Sequence, residues 1–350
     1  MSGTNMSDMN MSNIIEGFAV ETEDSLIFTV KGLLHPPQRV IAYLRYLPDP
    51  AGERVRNGTS YRRVYHFEEQ QVILETCHPG YLAHDPVFGL RLQSVPRGHV
   101  ETIYDPRRYL GVVRQRGPND PLETDALALA TLIQETADVP QKNLGISGSL
   151  MLSLHRPTSD LDLVIYGEAA SRTAYQTLCD LLHENIGELR RPNPKELAKI
   201  DAEHQPDTPL PFDEFVRLQN RKVNELRFRG RETFIRFVRV PEDVEARYGD
   251  RRFEPLRRIT LRARVTDDRG AIFTPCRYGV DDGTLLDGGP LPDLREIVSF
   301  RGRFSDQVRT GEWAVARGSL ERVSQEGQPQ YHRLVVGGQA GDYLLAPERV

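Results

Sequence analysis

Strand-like spacing of hydrophobic positions dominates both ends of the chain, and helix-like spacing dominates its middle. Near the start, Gly17 to Val20, Ser25 to Lys31 and Arg39 to Leu47 are rich in Val, Ile, Phe and Tyr. The first two are separated by the turn-like Thr22-Glu23-Asp24. Pro48-Asp49-Pro50-Ala51-Gly52 has the chemistry of a loop, Tyr61 to His66 reads as a further strand, and Phe67 to Thr76 as a short helix. The period then changes. Leu122, Ala126, Leu129, Ile133 and Ala137 predict a helix over Pro121 to Val139, ended by Pro140. Ala174, Leu178, Leu181 and Leu182 predict another over Ser171 to Asn185. Asn193 to Asp201 and Phe212 to Arg227 read as two more helices across the Pro-rich loop Gln205 to Pro211, and Thr233 to Val240 as a strand. From Ile259 onward period two returns, with Ile259, Leu261, Ala263 and Val265 alternating against Thr260, Arg262, Arg264 and Thr266. A turn at Asp267 to Gly270 and a hairpin partner over Ala271 to Tyr278 follow. Further strands are expected over Glu296 to Phe304, Glu312 to Val323, Tyr331 to Val336 and Tyr343 to Leu345.

These elements divide the chain into a polar, disordered stretch over 1–13, an N-terminal α+β module over 14–116, a central α/β unit over 117–243 and a β-rich domain over 256–350. The strand count of the last suggests a small barrel or sandwich of the OB type, with Trp313 in its core rather than as a base-stacking platform. A length of 350 residues accommodates such a division. The formal net charge of −5 gives no global nucleic-acid signature. Cys77, Cys179 and Cys276 are far apart, which argues against a disulfide framework or a zinc site and fits a reducing cytoplasm. The stretch Cys77 to Asp85, with His78 and His84, reads as a turn rather than a metal site. No run of 18 apolar residues predicts a membrane span, and the opening lacks the pattern of a signal peptide.

Candidate chemistry concentrates in Leu144 to Gly167, LGISGSLMLSLHRPTSDLDLVIYG. A short apolar strand ends in Ser147-Gly148-Ser149, a short helix follows, Pro157 to Ser159 breaks it, and Asp160 to Tyr166 reads as a buried strand. Alternate side chains of a strand share a face, so Asp160 and Asp162 project together with Cα atoms roughly 6.8 Å apart. Two carboxylates so spaced suit Mg²⁺, which takes one or two carboxylates plus substrate phosphates. Gly148 and Ser149 open the helix with backbone N–H groups where an anion is favoured. The bland alternative, two acids capping the solvent end of a buried strand, leaves the Gly-Ser turn unexplained.

Gly148-Ser149, ten intervening residues and Asp160-Leu161-Asp162 in an apolar strand resemble the signature of the DNA polymerase β nucleotidyltransferase superfamily. The likeness covers roughly 120–240; over most of its length the chain is also similar to a group of predicted archaeal nucleotidyltransferases. The resemblance implies a mixed sheet with helices, nucleotide phosphates held at Ser147, Gly148 and Ser149, and two Mg²⁺ ions, replaceable by Mn²⁺, on Asp160 and Asp162. It further implies transfer of a nucleoside monophosphate from an NTP to an acceptor hydroxyl or phosphate, with release of pyrophosphate. RNA and protein are both open as acceptors, and the lack of a long apolar run sets no membrane beside them.

That superfamily usually carries a third carboxylate within a later apolar strand. Here the centre of that strand holds Arg236, and Glu232 at its start is the nearest candidate. The run from Arg221 to Arg264 is strongly basic and reads either as a phosphate-tracking surface or as a solvated face of ion pairs. Two other classes remain consistent with the sequence. One is a nucleotide-binding regulator with a degenerate transferase site; the other is an RNA-binding or RNA-processing protein that selects its substrate through the C-terminal strands.

Overall fold

The structure, a computed structural model, describes residues 4–5, 14–184, 188–286 and 293–347. Of the stretch expected to be disordered, only Thr4–Asn5 is described, and it pairs with Thr102 and Ile103; the rest of 1–13 lies outside the described residues, as does the expected helix end at Asn185. The chain divides into two compact units. One comprises Met1–Ala83, Arg91–Arg190 and Asn224–Glu245, the other His84–Leu90, Arg191–Val223 and Ala246–Val350. This differs from the expected division, because 14–116 and the central sheet share a single core.

The N-terminal strands are β1 (Thr4–Asn5), β2 (Ala19–Thr22), β3 (Ile27–Val30), β4 (Arg39–Pro48), β5 (Arg54–Arg56), β6 (Thr59–Arg63), β7 (Leu82–Asp85), β8 (Leu90–Pro96) and β9 (Val100–Tyr104). They pair in the order β1-β9-β2-β3-β4-β6-β5, with β8 also on β4 and β7 on β8. Helix α1 (Phe67–Cys77) follows the β5–β6 hairpin, and α2 (Pro106–Arg116) follows β9. Asp105 caps α2 by accepting from the Arg107 N–H, with Pro106 at the first helical position. Asp120 likewise caps α3 (Pro121–Thr136).

A second sheet takes β10 (Leu144–Ile146), β11 (Leu161–Tyr166), β12 (Leu189–Arg190), β13 (Glu225–Phe228) and β14 (Arg231–Val238) in the order β10-β11-β14-β13-β12. Strand β11 runs antiparallel to β10 and parallel to β14. Between β10 and β11 lies a single turn, α4 (Gly148–Met151), and α5 (Glu168–Glu184) follows β11. Val164 and Tyr166 of β11 and Val238 of β14 are buried together with Ile14, Phe18, Val30, Leu44 and Val64. The N-terminal module thus covers the sheet face that carries Val164 and Tyr166, the face to which Asp160 and Asp162 also belong.

The other unit contains α6 (Pro194–His204), α7 (Phe212–Gln219) and the strands β15 (Arg251–Gly270), β16 (Cys276–Leu285), β17 (Leu294–Ser299), β18 (Trp313–Gln325), β19 (Tyr331–Val335) and β20 (Tyr343–Leu345). The pairings β15–β16, β16–β17, β17–β19, β19–β18 and β18–β15 close a ring, with β20 added on β18. Ile259, Leu261, Ala263 and Val265 are buried inside, as their alternation predicts. Trp313 is half-buried, and the Arg262 guanidinium lies 3.8 Å over its ring, so it is not a core residue. The helix expected over Phe212 to Arg227 ends at Gln219. Leu226 and Phe228 alternate with Arg227 in β13, where ladder bonds to β14 take over from helical ones.

Candidate active site

Strand β10, fully buried, delivers Ser147 to the mouth of the sheet, where its N–H donates to the Asp162 carbonyl at 2.9 Å. Gly148 then adopts φ +67°, a left-handed conformation that favours glycine. A Cβ added there would also overlap the Asp162 carboxylate, standing 2.8 Å from its Cγ. The Gly-Ser turn and the second acid of Asp160-Leu161-Asp162 are therefore in contact across strands. Ser149 is buried, and its hydroxyl has no hydrogen-bond partner among the described residues. Helix α4 is only four residues long, so the hydroxyl and the open backbone, rather than a helix dipole, are what this turn offers.

Asp160 and Asp162 are both half-buried. Burial, and after it the neighbouring Asp160 carboxylate, push the pKa of Asp162 up to about 6, against the opposing pull of Arg236, Arg63 and Arg45. An acid pair that strains against its own charge is what a divalent cation would relieve. The donor set, two carboxylates, is hard oxygen and suits Mg²⁺ or Mn²⁺.

Glu232 lies on the same face of the sheet, two residues before Phe234, which is the register partner of Asp162. It is tied to Arg227 on the neighbouring strand at 3.1 Å. Among the described residues, no group of three His, Cys, Asp or Glu side chains gathers at metal-holding distances, so Glu232 does not complete a triad with Asp160 and Asp162. Arg236, at the strand centre, is paired with the buried Glu16 at 3.0 Å. Glu16 also takes Lys31 at 3.2 Å and the Gly32 N–H at 2.8 Å.

Much of the basic run is engaged in ion pairs. Arg229 and Arg231 meet Asp125, Arg239 meets Glu168, Arg221 meets Glu312 and Arg258 meets Asp342. At these positions the run reads as a salt-bridged face. His78 lies 3.3 Å from Asp24 beside the turn at Pro79–Tyr81, and Cys77 ends α1.

What the sequence did not reveal is the part that 14–116 plays in the site. Arg54 of β5 donates to the Leu154 carbonyl at 2.6 Å, and Arg156 reaches back to Glu53 at 2.6 Å. The β5–β6 hairpin thereby grips the loop that joins α4 to Asp160. Arg45 and Arg63, on β4 and β6, turn their charge on Asp162. Arginine-rich short strands were the available signal, but nothing in their spacing pointed to an acid pair a hundred residues away.

No family model matches the chain. No solved structure matches it. It is 30% identical over 327 residues to the uncharacterised protein MJ1086 of Methanocaldococcus jannaschii, an alignment that covers 91% of this chain and 94% of that one. With the likeness sustained over nearly the whole of both, the chain belongs to the same family as this M. jannaschii protein.

Proposed function

We propose that the chain is a Mg²⁺-dependent nucleotidyltransferase, with Asp160 and Asp162 as the metal carboxylates and Ser147-Gly148-Ser149 as the phosphate-holding turn. The observation that carries this reading is the contact of Gly148 with Asp162 beside the unpartnered, buried Ser149 hydroxyl. It brings a buried hydroxyl donor and a carboxylate to one point, which two acids merely capping a strand would not require. In the reaction, an acceptor oxygen attacks the α-phosphorus of an NTP, the bond from that phosphorus to the α–β bridging oxygen breaks, and pyrophosphate leaves. Bound Mg²⁺ would supply Lewis-acid polarisation and neutralise developing charge. The chain's own residues do the positioning: Ser149 donates its hydroxyl to a phosphate oxygen, and Gly148 lets the backbone approach without a side chain. The hairpin residues Arg54 and Glu53 fix the loop before Asp160.

The reading is tested by incubating the protein with each α-labelled NTP, Mg²⁺ or Mn²⁺, and cellular RNA, protein and metabolite fractions, beside Asp162→Ala. Label entering one fraction with wild type alone supports it; a variant as active as wild type removes it. One observation favours a second reading, a nucleotide-binding regulator. Glu232 is held by Arg227, and among the described residues no third acid joins the pair. NTP binding without turnover in any fraction would select it.

A further inference from the structure

Two arginines of the N-terminal module, on β4 and on the β6 strand of the hairpin that grips the loop to Asp160, have no carboxylate partner among the described residues. Arg45 and Arg63 lie on the adjacent antiparallel strands β4 and β6, where the Val64 N–H donates to the Arg45 carbonyl at 2.9 Å. Both guanidinium carbons sit 4.5 Å from the centroid of the Tyr65 ring, a residue 37% exposed. Of the other arginines of this sheet, Arg56 is neutralised by Glu21 and Arg62 by Asp49 and Glu69, while Arg54 and Arg39 spend their donors on carbonyl and hydroxyl oxygens. Among the described residues, Arg45 and Arg63 form no such ion pair, and Arg63 Nε is buried with no hydrogen-bond partner. Burial works against the Arg63 charge, while Tyr65, Tyr46, Asp160 and Asp162 favour it. Two cations held on one aromatic ring repel each other, and a ring contact alone leaves their forks of N–H donors unused. A guanidinium fork matches a phosphate better than any other common anion except a carboxylate.

We propose that Arg45 and Arg63, steadied by Tyr65, form a phosphate subsite that receives phosphate oxygens of the molecule brought to Asp160 and Asp162. The inference rests on the transferase reading for the identity of that molecule, either the polyphosphate tail of an NTP or a phosphorylated acceptor. It gives 14–116 a role in substrate binding and makes the site a product of both halves of the unit.

The test is calorimetric titration of the full chain, in Mg²⁺, with inorganic tripolyphosphate and separately with glycerol 3-phosphate, using wild type, Arg45→Gln, Arg63→Gln and Arg63→Lys. Wild type is expected to bind one of the two, and each Gln variant to bind it at least about tenfold more weakly, the effect of losing one charge-assisted pair. Arg63→Lys keeps the charge without the fork and falls between. Tripolyphosphate as the ligand identifies the NTP tail, glycerol 3-phosphate a phosphorylated acceptor. Equal affinity in wild type and Gln variants, or no binding of either anion to wild type, overturns the subsite. If a Gln variant does not fold, Arg63→Lys decides, and undiminished affinity there overturns it equally. Label transfer from NTP is measured in parallel. Anion binding that depends on the arginines without any label transfer keeps the subsite and removes the transferase reading. Label transfer with KM unchanged in the Gln variants does the reverse.

Discussion

Gly148 is constrained twice, by its left-handed backbone and by the Asp162 carboxylate beside it. Gly148→Ala is therefore expected to cost about 1–3 kcal/mol of stability through backbone strain. By displacing Asp162 it should also lower kcat on the order of 100-fold, read by thermal melting and turnover together. Asp162 carries a second, pH-dependent prediction. Its pKa is higher folded, about 6, than in an unfolded chain. A raised acid favours folding while protonated, so its contribution is fully present below the unfolded value near 4 and is lost as pH rises through about 6. In metal-free buffer the chain should thus give up this stabilisation between pH 4 and 7. Asp162→Asn, which cannot ionise, should raise the melting temperature at pH 7.5 while removing activity. Mg²⁺ should raise the melting temperature of wild type and not of the variant. A wild-type melting curve unmoved by both Mg²⁺ and the substitution would show that the acid pair is not strained.

At the scale of elements, the site depends on how short segments are pressed together. Gly145 of β10 faces the start of α2, where an added Cβ would stand 2.6 Å from Pro106 Cβ and 2.8 Å from the Arg107 nitrogen. Gly145→Ala should lower stability by about 1–3 kcal/mol by overpacking, measurable by denaturant titration. Arg54→Ala frees the Leu154 carbonyl and the loop to Asp160. It should cost about 1.5–3 kcal/mol and lower kcat more than it raises KM for NTP, since it acts on positioning. The strand and turn of the Gly-Ser motif and the Asp160-Leu161-Asp162 strand were legible because each is specified by residues next to one another. The end of α7 was not. Phe212 to Arg227 keeps enough apolar residues at helical spacing to suggest one helix, and only pairing with β14 fixes Glu225–Phe228 as a strand. Glu232 was expected at the start of the later strand and lies within β14, but its partner Arg227 belongs to that same missed strand.

Across the whole molecule, the unit that holds the site is built from three separated stretches of chain. Composition suggested separate modules, yet Val164, Tyr166 and Val238 share a core with Ile14, Phe18 and Leu44. No local pattern announces such a contact, which is why the packing of the strands that carry Arg45, Arg54 and Arg63 against the central sheet was invisible before the structure. A fragment spanning 117–245 alone would expose that apolar face and should fail to fold cooperatively, whereas one that keeps 14–83 and 91–116 restores its cover. Circular dichroism and a melting curve of the fragment check this. The proposed chemistry moves the nucleotidyl rather than the terminal phosphoryl group. It is tested most directly by giving the protein one NTP, labelled in parallel at the α and at the γ phosphate, with Mg²⁺ and the cellular fractions. A nucleotidyl transfer joins the α label to an acceptor and releases the γ label as pyrophosphate, both lost in Asp162→Asn. Transfer of γ label to an acceptor, or α label joined equally well by Asp162→Asn, would contradict it.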